Sequence, residues 1–88
     1  MEKKWFVYIL RCADDTLYTG ITDDVARRVA VHNSGKGAKY TRARRPVAVV
    51  YTEECDGYSA ALKRECAIKR LTRPQKRSLI TEGKENCL

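Results

Sequence analysis

Two short strand-like runs, separated by a pair of aspartates, constrain the fold of this chain more than any other feature. The first run covers residues 7–12 and the second covers residues 17–21, and both are rich in β-branched, aromatic and aliphatic side chains. Between them stand Asp14 and Asp15, which are typical turn residues. The pattern predicts a β-hairpin, around which the rest of a short chain must pack.

Each predicted strand carries one tyrosine, Tyr8 in the first and Tyr18 in the second. If the strands pair about the aspartate turn, the two phenols lie near each other and share one small surface, because cross-strand neighbours contact each other. Tyrosine is also a common strand residue with an apolar ring and a hydrated hydroxyl. Taken alone, the pair is therefore compatible with either a site or an ordinary sheet surface.

Three helices and a third strand are predicted after the hairpin. In order, they are a helix over residues 23–33, a strand over residues 47–52, a helix over residues 60–71 and a short helix from residue 73 to about residue 80. The apolar run of the third strand is continuous rather than alternating, which predicts burial on both faces or nearly so. The elements predict a single α/β domain of the α+β type, in which three helices pack on a three-stranded antiparallel sheet in the order ββαβαα.

Two segments are predicted to be irregular. Residues 35–42 contain two glycines and turn basic, which indicates a mobile, cationic loop that grips a substrate. The loop lacks the four-residue gap and the Gly-Lys-Ser/Thr ending of a nucleotide-binding loop, so we exclude nucleoside triphosphate binding. Residues 82–88 are predicted to be a loose polar tail outside a domain that covers residues 1–81.

Length and composition exclude several classes of protein. A chain of 88 residues holds one compact domain with a modest core. It has no apolar run long enough to span a bilayer and no signal-peptide pattern at its start, so we expect a cytoplasmic location. Its four cysteines are scattered without a Cys-x-x-Cys pair, which indicates reduced thiols rather than a zinc or redox site.

The formal charge of +7 is concentrated in two clusters. Residues 39–45 carry four cations and no acid, and residues 63–77 carry seven cations against the single acid Glu65. Such clusters, with Tyr40 interleaved in the first, favour a polyanionic partner such as nucleic acid. They are also compatible with a solvated surface that keeps a small protein in solution.

The predicted first helix has a readable register. Val25, Val29 and His32 follow the i, i+4, i+7 pattern of one packed face, and Arg28 lies at the edge of that face, one turn before His32. Arg27 falls on the opposite side, toward solvent. An arginine at such an edge can be a rim residue with a buried stem, and a lone histidine beside an apolar stripe can be purely structural.

The second long helix contains an acid within its apolar stripe. Ala61, Glu65 and Ile68 share one face at i, i+4, i+7, so a carboxylate stands where an apolar residue is expected. An unpaired buried carboxylate is costly, and Glu65 must therefore contact a cation, a metal ion or a hydrogen-bond network. A structural salt bridge to a neighbouring arginine satisfies this requirement as well as a metal site does.

These residues, taken in order, resemble the GIY-YIG nuclease superfamily, and most closely its small, stand-alone bacterial members. The resemblance covers about residues 5–80, and the matching positions are Val7-Tyr8, Tyr18-Thr19-Gly20, Arg28, His32 and Glu65. Its specificity comes from the ordered set, since either tripeptide alone is weak. The first tripeptide here is Phe6-Val7-Tyr8, so the first glycine is missing and a bulkier strand edge stands beside the site.

The resemblance implies a metal-dependent endonuclease that hydrolyses phosphodiester bonds. In this family the helix glutamate binds the divalent metal, which assigns Glu65 to Mg²⁺ or Mn²⁺, and the helix arginine contacts the scissile phosphate, which assigns Arg28. Tyr8 is the first candidate for general base and Tyr18 orients the water or the phosphate. A free phenol has a pKa near ~10, so Tyr8 requires nearby cations to favour its phenolate. His32 is the alternative proton acceptor.

The same resemblance implies a nucleic-acid substrate, with DNA favoured over RNA and single-stranded or structured DNA included. Since the chain has room for one domain, we expect low sequence specificity or a protein partner for targeting, and a role in DNA repair. The residues expected to bind substrate are Lys39, Tyr40, Arg42, Arg44, Arg45 and Lys69. Two alternatives remain: a non-catalytic nucleic-acid-binding module on the same fold, and an interaction domain whose basic faces serve solubility. Oligomeric state is not predicted.

Overall fold

A computed structural model describes the backbone of residues 4–86 and the side chains of residues 4–82. Its elements are, in chain order, β1 (Trp5–Arg11), β2 (Leu17–Thr22), α1 (Val25–Asn33), α2 (Lys39–Arg42), β3 (Ala48–Cys55), α3 (Tyr58–Lys69) and α4 (Arg73–Asn86). The predicted order ββαβαα is confirmed, with the four-residue helix α2 added between α1 and β3. Within the described residues, no helix is both long and apolar enough to cross a bilayer.

The three strands form one antiparallel sheet in the order β2-β1-β3. The central strand β1 is buried on both faces, and residues 7–10 are all at most 1% exposed. The prediction that the third strand is buried on both faces is wrong, because β3 lies at the edge of the sheet and its Val49 is 42% exposed. Apolar composition indicates a strand, but it does not say which strand lies in the middle.

Alternation along β1 divides the interior into two cores. Val7 and Ile9 point to one face, where they pack with Ala61 and Ile68 of α3. On the other face Tyr8 and Leu10 pack with a second cluster, made of Cys12, Val47, Tyr18 and Val29. The second cluster is notable because it contains two tyrosines, whose hydroxyl groups are polar. The tyrosines therefore lie on the face of the sheet that α1 covers.

The turn of the hairpin is built from aspartates, as predicted. The carboxylate of Asp14 accepts hydrogen bonds from the backbone N–H and the hydroxyl of Thr16, at 3.2 and 2.6 Å. Asp15 has a φ of 67°, a conformation that aspartate tolerates better than most residues. Its N–H donates to the carbonyl of Cys12 at 2.9 Å and closes the turn.

The helices after β3 differ from prediction at their ends. The first of them, α3, begins at Tyr58 and not at the predicted residue 60, and it follows Gly57, whose φ of 100° suits glycine. The last helix, α4, begins with a capping box: Thr72 N–H donates to Gln75 Oε1 at 2.8 Å, and Gln75 N–H donates to Thr72 Oγ1 at 3.3 Å. That helix continues to Asn86, past the predicted end near residue 80, and so includes residues 82–86 of the predicted tail; residues 87–88 lie outside the described part.

Candidate active site

Tyr8 and Tyr18 lie on the same face of the hairpin, with their ring centroids 6.5 Å apart, which confirms the predicted pairing. They are diagonal neighbours, because Tyr8 stands opposite Gly20 and Tyr18 stands opposite Leu10. The Tyr8 ring lies across the position that a side chain on Gly20 would need. A Cβ atom built on Gly20 lies 2.6 Å from Tyr8 Oη, so a glycine is required for this placement of the hydroxyl.

A chain of buried hydrogen bonds leads inward from Tyr8. Tyr8 Oη lies 3.0 Å from His32 Nε2, and His32 Nδ1 lies 2.8 Å from Thr41 Oγ1. The Thr41 hydroxyl donates its only proton to the Ala38 carbonyl at 2.9 Å. Thr41 must then accept from His32 Nδ1–H, which leaves Nε2 as the acceptor of a neutral imidazole. The tautomer of His32 is thus set by a backbone carbonyl, and Tyr8 donates its proton to His32.

This chain is closed to solvent at its inner end. His32 and Thr41 are 0% exposed and Tyr8 is 1% exposed. Burial lowers the pKa of His32 below its usual value, and the positive charge of Arg28 lowers it further, so the imidazole is neutral at pH 7. Gly37 packs directly on this ring, since a Cβ there would lie 2.4 Å from His32 Nδ1. His32 and Thr41 are therefore closed to solvent, and Tyr8 is the outermost member of the chain.

The pKa of Tyr8 is raised above 10.0, chiefly because burial disfavours the phenolate. The Arg28 guanidinium beside the hydroxyl lowers the pKa, in the predicted direction, while the nearby Tyr18 and Glu65 raise it. The expected direction of the Arg28 effect is confirmed, but burial outweighs it, so Arg28 by itself does not make a Tyr8 phenolate. The phenol is protonated at rest and donates to His32.

The register predicted for α1 is confirmed. Val29 packs against the Tyr8 cluster and His32 is buried, whereas Arg27 and Arg28 are exposed. The helix is capped by Asp24, whose carboxylate accepts a hydrogen bond from the backbone N–H of Arg27 at 3.1 Å. The first turns of α1 therefore carry two exposed arginines, of which Arg28 is the one whose charge acts on both Tyr8 and His32.

Tyr18, Tyr40 and Arg44 form a stack at the edge of the site, which we call the aromatic and cationic wall. The Tyr18 ring meets His32 edge-on at 5.3 Å and stacks on Tyr40 at 5.9 Å. The Arg44 guanidinium covers the other part of this stack, 4.1 Å from the Tyr40 ring centroid. Arg44 also forms an ion pair with Asp14 at 3.0 Å and donates to the Tyr40 carbonyl at 2.8 Å. The wall is thereby tied to the hairpin turn.

Residues 39–42 of the segment predicted as an irregular, mobile loop form α2, so the prediction of irregular structure is wrong for that part. This segment is fixed to α1, because the Thr41 side chain points inward and forms a hydrogen bond with His32. The arginines around it are held by backbone carbonyls: Arg42 Nε donates to Gly37 O at 3.4 Å, and Arg45 Nε donates to Arg42 O at 2.8 Å. Lys39 is exposed, as are Arg42 and Arg45, so their charges face solvent.

Glu65 occupies the predicted apolar stripe of α3. Ala61 and Ile68 on either side of it are 0% exposed, whereas the Glu65 side chain is 16% exposed. Its partner is Lys69, one turn later on the same helix, at 3.5 Å, and not the arginine that the structural alternative proposed. Since the charge of Glu65 raises the pKa of Tyr8, the carboxylate lies within electrostatic reach of the tyrosine hydroxyl.

The donor set suits a hard divalent cation held by few protein ligands. Among the described residues no cluster of three or more His, Cys, Asp or Glu side chains could hold a metal ion. If Glu65 held a metal, it would be a single carboxylate ligand, which fits the mode in which Mg²⁺ keeps several waters and binds one or two carboxylates together with substrate phosphate. The residues therefore fit a metal that binds together with its substrate.

Sequence reasoning missed the two residues that hold His32 from behind. Thr41 sets its tautomer, and Gly37 allows the backbone to approach the ring. In the sequence, Thr41 stands among lysine and arginine residues and shows no apolar periodicity. The available signal was the pair of glycines at 35 and 37, which indicates a close backbone approach somewhere in this segment.

Comparison with known proteins gives a consistent result. The chain matches the family model of the GIY-YIG catalytic domain over residues 4–78. It is 61% identical to a UPF0213 protein of Desulfotalea psychrophila, over 86% of this chain and 70% of that protein. It is 56% identical to a UPF0213 protein of Natronomonas pharaonis, over 93% of this chain and 96% of that protein.

Solved structures agree with the fold. The solution NMR structure of a UPF0213 protein from Bacillus halodurans has a TM-score of 0.58 and 45% sequence identity, and the match covers 89% of this chain and 83% of that one. The NMR structure of a protein from E. faecalis has a TM-score of 0.63 and 45% identity, over 93% and 90% of the two chains. With both tyrosines, the helix arginine and the helix glutamate in place, the chain belongs to the GIY-YIG family, among its UPF0213 proteins.

Proposed function

We propose that this protein is a divalent-metal-dependent endonuclease that hydrolyses phosphodiester bonds of nucleic acid, with DNA favoured over RNA. Membership of the GIY-YIG family, which is generally a family of endonucleases, supports the reaction class. The observation that carries the proposal is the buried chain from Tyr8 through His32 to Thr41, with the Arg28 guanidinium beside its outer end. This arrangement provides a proton path and a phosphate contact at one place.

We propose that Tyr8 and His32 act together as the general base, with Tyr8 contacting the water and His32 receiving the proton. As a water attacks phosphorus, its proton passes to Tyr8 Oη while the Tyr8 proton passes to His32 Nε2. The tyrosine therefore stays neutral, and the imidazole carries the proton until it returns through Tyr8 to solvent after the product leaves, while the leaving 3′ oxygen takes its proton from solvent. No resting phenolate is required, which agrees with the raised pKa of Tyr8. The lowered pKa of His32 keeps its imidazole neutral at rest, with Nε2 free to accept, although it also makes the imidazole a weaker base.

Arg28 is proposed to contact the scissile phosphate. Its planar guanidinium can donate two hydrogen bonds to non-bridging oxygens and offset the negative charge that builds up during attack. Tyr18, which meets His32 edge-on, would orient the attacking water or the phosphate from the opposite side of Tyr8.

Glu65 is proposed to hold Mg²⁺ or Mn²⁺. When bound, such an ion supplies Lewis-acid stabilisation of phosphate charge and of the leaving 3′ oxygen. The Lys69 ammonium, 3.5 Å from the same carboxylate, would have to release it as the ion binds and could then pair with a phosphate.

The remaining substrate contacts are assigned by position. The stacked Tyr40 and Arg44 flank Tyr18, and exposed cations of the same segment surround them, so we propose Lys39, Arg42 and Arg45 as further phosphate contacts. Single-stranded or structured DNA as substrate, low sequence specificity, a role in DNA repair, a targeting partner and a cytoplasmic location stay predictions.

The test is cleavage of end-labelled single-stranded and duplex DNA and RNA by purified protein, with Mg²⁺, Mn²⁺ or EDTA. Glu65→Ala is the test variant and Glu54→Ala is its matched control, since Glu54 is an exposed acid on β3 paired with Lys4. We expect metal-dependent nicking that Glu65→Ala abolishes and Glu54→Ala preserves. Folded protein that binds these nucleic acids without cleaving any of them would instead support the non-catalytic binding module.

A further inference from the structure

A second cleft lies beside the candidate active site, at the start of α1. It has a volume of about 430 Å³, and its walls include Trp5, Tyr58, Ile21, Val31, Arg27 and Arg28. Arg28 is common to both places: it lines this cleft, and its charge acts on Tyr8 and His32. The cleft and the proposed phosphate site are therefore contiguous.

We propose that this cleft binds a nucleobase of the substrate strand, next to the scissile phosphate. The inference rests on the proposed nuclease function and adds to it a subsite that selects nucleotides with an intact base. The reasons are an exposed aromatic face, a rigid support behind it, and two guanidinium groups at its rim.

Tyr58 provides the aromatic face. Its side chain is 49% exposed, although it is large and partly apolar. Its ring contacts Trp5, with centroids 4.8 Å apart and planes inclined by 51°. Trp5 in turn packs on the core that contains Val7 and Ile9, so Tyr58 is supported by the folded interior. A base can stack on the free face of such a ring without regard to its identity.

The charges of the cleft fit a nucleotide better than a bare anion. Arg27 and Arg28 can contact the phosphates on either side of a bound base. Asp23 and Asp24 also line the cleft, and the Asp24 carboxylate accepts a hydrogen bond from the Arg27 backbone N–H. Two carboxylates oppose the binding of an isolated phosphate, so stacking must contribute to affinity here.

The sequence supplies its own reporter, because Trp5 is the only tryptophan. The experiment titrates the full chain in EDTA, where the metal is removed, with a decathymidylate, an abasic deoxyribose-phosphate decamer of equal charge, or inorganic pyrophosphate. We expect saturable quenching of Trp5 emission by the decathymidylate, and much weaker effects of the abasic decamer and of pyrophosphate at equal concentration.

Two variants of Tyr58 and one control make the test specific. Tyr58→Ala removes the ring and should raise the dissociation constant for the decathymidylate at least about fivefold, the lower end of the range for losing one base–aromatic stack. Tyr58→Phe keeps the ring face and should bind nearly as wild type does. Leu62→Ala is the matched control, since Leu62 is an exposed apolar residue of the same helix that does not line the cleft.

Any of three results would overturn the proposal. They are equal binding of the base-bearing and abasic decamers, unchanged affinity in Tyr58→Ala, and no binding of either decamer. A parallel cleavage assay of the same variants with Mg²⁺ separates it from the proposed function. Binding that depends on Tyr58 in a protein that cleaves nothing would uphold the cleft and refute the nuclease. If the protein cleaves but Tyr58→Ala changes neither binding nor the cleavage rate, the nuclease proposal would be upheld and the cleft proposal refuted.

Discussion

Replacing Thr41 by valine tests whether the buried threonine sets the proton path. Valine has nearly the same shape but no hydroxyl, so His32 Nδ1–H loses its acceptor at a site where both His32 and Thr41 are 0% exposed. The Ala38 carbonyl keeps the hydrogen bond from the Thr41 backbone N–H at 3.0 Å. An unsatisfied buried donor costs about 1–3 kcal/mol. The imidazole can avoid part of this cost by moving its proton to Nε2, where it would donate to Tyr8 instead of accepting from it.

The expected consequences concern both stability and activity. Thr41→Val should lower the free energy of unfolding by about 1–3 kcal/mol, measured by urea denaturation at pH 7.5. It should also lower the cleavage rate by roughly 10²-fold to 10⁴-fold, the usual contribution of a general base, because Nε2 no longer accepts the Tyr8 proton. Thr41→Ser restores the hydroxyl and should recover most of the rate, although it loses a buried methyl group.

The decisive measurement is independent of cleavage. The nitrogen chemical shifts of ¹⁵N-labelled histidine report which ring nitrogen is protonated, and His32 is the single histidine. Wild type and Thr41→Ser should show a protonated Nδ1, and Thr41→Val should show a protonated Nε2 or a mixture. A valine variant with an unchanged tautomer and an unchanged cleavage rate would refute the reasoning.

Three other perturbations follow from the same geometry. Gly20→Ala should displace the Tyr8 hydroxyl, since the new Cβ would lie 2.6 Å from it, and the cleavage rate should fall at least about 10²-fold. In a double-mutant cycle, adding Tyr8→Phe to Gly20→Ala should lower the cleavage rate no further. The pKa of His32 is lowered in the folded state, so its contribution to stability is complete above the unfolded pKa of about 6.5 and is lost as pH falls through the folded pKa. Urea denaturation between pH 7.5 and pH 5 should therefore show a fall in the free energy of unfolding of wild type. An equal fall in His32→Gln would contradict this prediction. Lys69→Gln should free the Glu65 carboxylate from an ion pair worth about 0.3–0.5 kcal/mol and lower the Mg²⁺ concentration for half-maximal cleavage about twofold. A higher Mg²⁺ concentration for half-maximal cleavage would contradict this and would indicate that Lys69 contributes mainly by contacting the substrate.

The hairpin and its tyrosines were readable from sequence because they depend on local rules. Asp14 and Asp15 supply a turn, and alternation places Tyr8 and Tyr18 on one face whatever the rest of the chain does. The helical registers that bury His32 and that place Glu65 between two buried residues follow in the same way from a period of 3.6 residues.

The errors share a different cause. Burial on both faces was predicted for the third strand and is found in β1, because strand order depends on which edges pair and not on the composition of one strand. The segment around α2 was predicted to be an open loop, because nothing within it announces that Thr41 turns inward toward a helix nine residues earlier. In both cases the deciding contact is made with a distant part of the chain.

The sequence by itself determined which chemical groups are present and roughly which face each one occupies: two strand tyrosines, an arginine and a histidine one turn apart, and a carboxylate in an apolar stripe. Only the tertiary structure decided how they act on one another. Packing of α1 on the hairpin buries His32 behind Tyr8, and the turn before α2 supplies the Ala38 carbonyl that orients Thr41. Periodicity defines a direction for each side chain, whereas a proton path requires distances near 3 Å between side chains on different elements, and these exist only after packing.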